Sequence, residues 1–64
     1  MTESQKMFAA YVDAAKMART TAQEYRHMAS EFPKHAQESL ANAAEARERA
    51  RDYLQRARLW RAEA

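Results

Sequence analysis

Stepping alternately three and four residues from Phe8, the chain visits Phe8, Tyr11, Ala15, Ala18, Ala22, Tyr25, Ala29, Phe32, Ala36, Ser39, Ala43, Ala46, Ala50, Tyr53, Ala57 and Trp60. Fifteen of these sixteen positions are apolar or aromatic, and the exception, Ser39, is small. A seven-residue repeat of this kind lines one stripe of an α-helix and no face of a strand, so it specifies helices packed lengthwise. With no glycine and a single proline in 64 residues, little remains from which to build strands and tight turns. The expected class is all-α.

Pro33 supplies the break. Its ring disfavours the α conformation at Phe32 and suits the first turn of a following helix, where a missing N–H is no loss. Upstream, Thr2 and Gln5 have the spacing of a capping box, with Glu3 favourably placed in the first turn. Helix 1 is therefore expected over about residues 3–32 and helix 2 over about 34–61, in one domain covering residues 1–64. If the chain reverses at Pro33, residue i faces residue 68−i: Phe8 meets Trp60, Tyr11 meets Ala57, Ala15 meets Tyr53, Ala18 meets Ala50 and Phe32 meets Ala36. Nearly every large ring then lies opposite a small residue. A parallel homodimer would stack ring on ring and alanine on alanine, costing roughly 1 to 3 kcal/mol per bad layer.

The heptad phase passes through Pro33 without a skip. One kinked helix about 90 Å long, pairing antiparallel with a second copy, would therefore make the same contacts between chains. An interior proline costs about 3 kcal/mol, which favours the hairpin. The expected fold is an antiparallel two-helix hairpin, an Ala-rich coiled coil, dimerising into a four-helix bundle.

A chain this short that lacks disulfides often relies on a second copy or a partner. There are no cysteines, hence no disulfide framework and no thiol chemistry. The N-terminus is polar, and no stretch approaches the ~20 apolar residues of a membrane span, so no integral membrane association is expected and cytoplasmic residence is the default. A net charge of +2 says little about partners. The arrangement of charge says more.

With Phe8 taken as position a of the heptad, the e and b rows hold Lys16, Arg19, Arg26, Arg47, Arg51, Arg58 and Arg61 and no acid. The c row holds Glu3, Glu24, Glu31, Glu38, Glu45 and Asp52. Antiparallel packing sets the two e rows side by side and brings Arg19 near Arg47. Glu45 with Arg49 and Asp52 with Arg56 are i,i+4 pairs in the favoured order, whereas Arg47 and Arg51 repel at that spacing. Such a face is either a solvated side of an arginine-rich chain or the seat of an anionic partner, an acidic protein surface or a phosphate backbone. Only Gln23 and Gln37 could read bases from it, so a protein target is preferred and nucleic acid is the alternative.

A second feature is an apolar stripe on helix 1, in rows g and c: Met7, Ala10, Ala14, Met17, Thr21 and Met28. Soft methionines beside a small core point to an interface, and Met7, Ala10, Ala14, Met17 and Met28 are the expected dimer contact. Leu40 and Leu54 are expected to widen the core edge, Leu54 against Val12. Trp60 is expected to pack on Phe8, forming an apolar end with Leu59. His27, Glu31 and His35 fall at i, i+4 and i+8, a ligand-like row that Pro33 interrupts; no metal is expected. No Ser or Thr has a base and an orienting acid beside it and no glycine loop could cradle phosphate, so neither a cofactor nor enzymatic activity is expected.

In length and helix-turn-helix layout the chain resembles the plasmid copy-control Rop proteins, hairpins that dimerise into four-helix bundles and bind RNA mainly with helix 1. Here the positive excess lies in the second half, seven basic residues against five acidic compared with four and four in the first, so no residue role is carried over. The function read from the residues is that of a small non-enzymatic binding protein, an adaptor, inhibitor or regulatory subunit.

Overall fold

The computed structural model describes residues 2–63. Helix α1 spans Glu3–Glu31, a single 3-10 turn spans Pro33–His35, and helix α2 spans Ala36–Glu63. The capping box forms at Thr2: its hydroxyl accepts from the Gln5 N–H at 3.1 Å, and the Gln5 side-chain carbonyl accepts from the Thr2 N–H at 3.0 Å. Two amides that the helix cannot satisfy are thereby satisfied locally.

At the other end of α1, Phe32 leaves the helix at φ −124° and ψ 80°, although its N–H still donates to the Met28 carbonyl at 2.8 Å. That is the kind of backbone a following proline imposes. His35 then donates to the Phe32 carbonyl at 3.0 Å, closing the 3-10 turn. The second helix therefore starts at Ala36 rather than near residue 34, because the reversal uses the tighter turn first. It also runs two residues past the expected end, to Glu63.

The two helices pack against each other in a hairpin measuring 47 × 16 × 9 Å between Cα extremes. A continuous helix of this length would reach about 90 Å, so the chain closes on itself rather than running straight through Pro33. Pairs such as Ala14 and Tyr53, Arg19 and Arg47, and Tyr25 and Asn42 line common recesses between the helices. Among the described residues no helix is long and apolar enough to cross a membrane.

Burial follows the seam. Ala15, Ala18, Ala22, Ala43, Ala46, Ala50, Ala57 and Ser39 are the buried residues among those described, and every one is a seam position. Phe8, Tyr11, Tyr25, Ala29, Ala36, Tyr53 and Trp60 are half-buried. Phe32 departs from expectation: it is 55% exposed. Once its backbone leaves the helix, the heptad no longer decides where its ring goes.

Tyr11 and Tyr53, each expected opposite an alanine, also meet each other diagonally, one helical turn out of register, with ring centroids 6.3 Å apart and planes tilted by 32°. Such offset ring pairs contribute about 0.5 to 1.5 kcal/mol beyond their buried area. No buried side-chain polar atom among the described residues lacks a partner. The interior is nonetheless thin in apolar mass. A buried methyl contributes about 0.8 kcal/mol where a leucine or phenylalanine contributes about 1.5 to 3.

Candidate binding faces

In an antiparallel pair the e and b rows of both helices lie on one broad side and the g and c rows on the other. The recesses between the helices separate along that division. On the e/b side, Arg19, Arg47 and Arg51 surround a recess of about 190 Å³ with Ala50 and Leu54. A second recess of about 140 Å³, lined by Arg51, Leu54, Gln55 and Arg58, lies on α2 alone and shares Arg51 and Leu54 with the first. Lys16, Arg26 and Arg61 belong to the same face, outside these two recesses, and all seven cations are exposed. The fold thus does bring Arg19 and Arg47 to one spot, from different helices.

Nothing within the chain neutralises that spot by helical pairing. Neither Arg19 nor Arg47 has an acid three or four residues away in either direction. The one close contact between a basic and an acidic side chain among the described residues lies elsewhere, His27 Nε2 to Glu31 Oε1 at 2.9 Å, an ion pair only when the imidazole is protonated. It is exposed, and pairs of that kind contribute roughly 0 to 1 kcal/mol. The expected pairs Glu45 with Arg49 and Asp52 with Arg56 are not closed among the described residues. Long solvated side chains gain too little from such contacts to be held in them.

Leu40 corrects a second expectation. It is 53% exposed and does not widen the core, whereas Leu54 and Val12 are both half-buried. The e-row pairs sum to 66, which sets Leu54 opposite Val12 but Leu40 opposite Arg26.

On the g/c side, Ala14, Met17, Ala18, Thr21, Arg49 and Tyr53 line a groove of about 260 Å³. Nearer the turn, Tyr25, Met28, Phe32, His35, Glu38, Ser39 and Asn42 line another of about 270 Å³. Of the expected contact residues, Met7 and Ala14 are half-buried, while Ala10, Met17 and Met28 are exposed. The Thr21 hydroxyl donates to the Met17 carbonyl at 3.0 Å, so the one hydroxyl within the stripe is already satisfied. Phe32 joins this face through the turn, a contribution the heptad did not announce. Leu59 in the c row is 68% exposed, and Trp60 beside it is half-buried.

His35 lines the groove near the turn, beyond Pro33 from the His27–Glu31 pair. Among the described residues no three His, Asp or Glu side chains gather as metal ligands would. Comparison with protein-family models, with curated proteins and with solved structures finds no match to this chain.

Proposed function

We propose that this hairpin is a non-enzymatic binding module of the cytoplasm, an adaptor, inhibitor or regulatory subunit that works through protein–protein contacts and pairs with a second copy of itself. One observation carries this: the buried side chains among the described residues are seam alanines and Ser39, while five large apolar side chains stay exposed. Met17, Phe32, Leu40 and Leu59 are 71, 55, 53 and 68% exposed, while no large side chain among the described residues is fully buried. Covering each such side chain is worth up to about 1.5 to 3 kcal/mol, which a lone hairpin forgoes and a complex recovers. The stripe of Met7, Ala10, Ala14, Met17 and Met28 is assigned to the contact between copies, completing four helices. The basic face is assigned to an acidic protein surface, where complementary charge speeds encounter and selects partners.

A second reading, a nucleic-acid regulator, draws on the three arginines around one acid-free recess, a setting that also suits phosphate. A tagged chain recovered from its native host cell, with and without nuclease, separates the two. Protein partners that persist after nuclease are expected. Loss of all captured material on nuclease treatment, with binding to random nucleic acid that falls steeply with salt, would replace the protein reading by the nucleic-acid one.

A further inference from the structure

The two broad faces differ in sign as well as in content. Between Glu3 and Arg61 the e and b rows carry seven cations and no acid, a charge of +7. The g and c rows carry six acids against Arg49 and Arg56, a charge of −4. Each face also exposes large apolar side chains, Leu40 on the positive side and Met17 and Met28 on the negative side. A contact between two methionine faces would set like charge against like, and so would a contact between two basic faces. Methionine face on basic face removes both conflicts at once.

We infer that the occupant of the basic face is the methionine face of a second copy of this chain. This rests on the reading that the hairpin acts through protein contacts and keeps the stripe of Met7, Met17 and Met28 as the contact between copies, but lands it on the basic face in place of a stripe-on-stripe pair that closes at four helices. The charges are periodic in a way that favours such a match. Glu24 and Glu31, Glu38, Glu45 and Asp52 recur every seven residues, as do Arg19 and Arg26, and Arg51 and Arg58. Seven residues advance about 10.5 Å along a helix, so an acid row on one copy keeps step with a cation row on another.

The area is sufficient. A face of 47 by 16 Å covers about 750 Å² in projection, so a full overlap removes about 1,500 Å² from the two copies together, within the roughly 1,200 to 2,000 Å² of a specific interface. Because the two patches in contact are unlike, the arrangement is head-to-tail and does not close with two copies. Each added copy presents a fresh basic face. A separate acidic protein bound there would cap growth.

The test mixes two variants, each damaged on one face. Arg47→Glu with Arg51→Glu spoils the basic face, and Met17→Lys with Met28→Lys spoils the methionine face. All four positions are exposed, so the hairpin is retained, as circular dichroism would verify. In sedimentation velocity the parent should grow beyond a dimer as concentration rises, and its assemblies should shrink in high salt. Each variant alone should be monomeric, and an equimolar mixture should form a 1:1 dimer that grows no further. A basic-face variant that self-associates as the parent does would overturn the inference and replace it with methionine-on-methionine pairing, leaving the proposed function standing. A mixture that stays monomeric, or a parent monomeric throughout, would overturn it as well. The proposed function fails separately, in the nuclease experiment.

Discussion

Along the seam, the buried side chains among the described residues are alanines and one serine, whereas Met17, Met28, Leu40, Leu59 and Phe32 lie exposed on the two broad faces. Small soluble proteins ordinarily place bulk inside and small or polar groups outside. Here the seam lets two helices approach closely and fixes their register, but it supplies little of the apolar burial from which stability comes. The faces hold that capacity in reserve. The contrast separates what folds the chain, the seam, from what the proposed binding would use, the faces.

Changes in size should separate the two regions most strongly. Ala46 is 0% exposed, so Ala46→Leu should overpack its layer and cost about 1 to 3 kcal/mol in urea or thermal unfolding. The same change at Ala41, exposed on α2, should stay within about 0.5 kcal/mol. Equal effects at the two sites would erase the distinction. Thr2→Ala, which removes the cap that starts α1 without touching seam or face, should cost about 1 kcal/mol. A null effect would mean that the reciprocal bonds with Gln5 do not hold in solution.

Phe32 sharpens the comparison, since it belongs to the seam by spacing and to a face by exposure. A phenylalanine truncated to alanine in a core costs about 3 to 5 kcal/mol, but Phe32→Ala should cost less than about 1 in the isolated hairpin. A loss of core size would return the residue to the seam. Least of all should be felt from Arg19→Gln combined with Arg47→Gln, which relieves like charges: no change in stability or a gain of a few tenths of a kcal/mol. The same pair should weaken binding to whatever covers the basic face by more than tenfold, about 1.4 kcal/mol. Unchanged affinity would mark that face as merely solvated.

Which residues share a face was legible in the sequence, because row membership needs only an unbroken helical period, and from Glu3 to Glu31 and from Ala36 onward the period is unbroken. The cap at Thr2 and the reversal at Pro33 were legible for a related reason, since each depends on neighbours in the chain. What escaped depends on the other helix or on a break in backbone geometry. Leu40 looked like core within its own row but is 53% exposed, and how far the other helix covers a residue cannot be read from its own row. Phe32 kept the heptad phase but lost the helical backbone that gives the phase its meaning. The gathering of Arg19, Arg47 and Arg51 around one recess required both the register and the extended side chains, of which the sequence offers only the first.

That the seam is satisfied within one chain, leaving both faces free for other chains, can be measured directly. The natural chain has no cysteine, so dyes can be placed at will through Gln5→Cys and Arg58→Cys, both exposed positions near the open end of the hairpin. Energy transfer between them would be recorded with the labelled chain diluted into a large excess of unlabelled chain, which removes transfer between copies. The hairpin predicts efficient transfer that dilution leaves unchanged. A chain running straight through Pro33 would hold the two dyes about 80 Å apart, and transfer that collapses on dilution would contradict the hairpin.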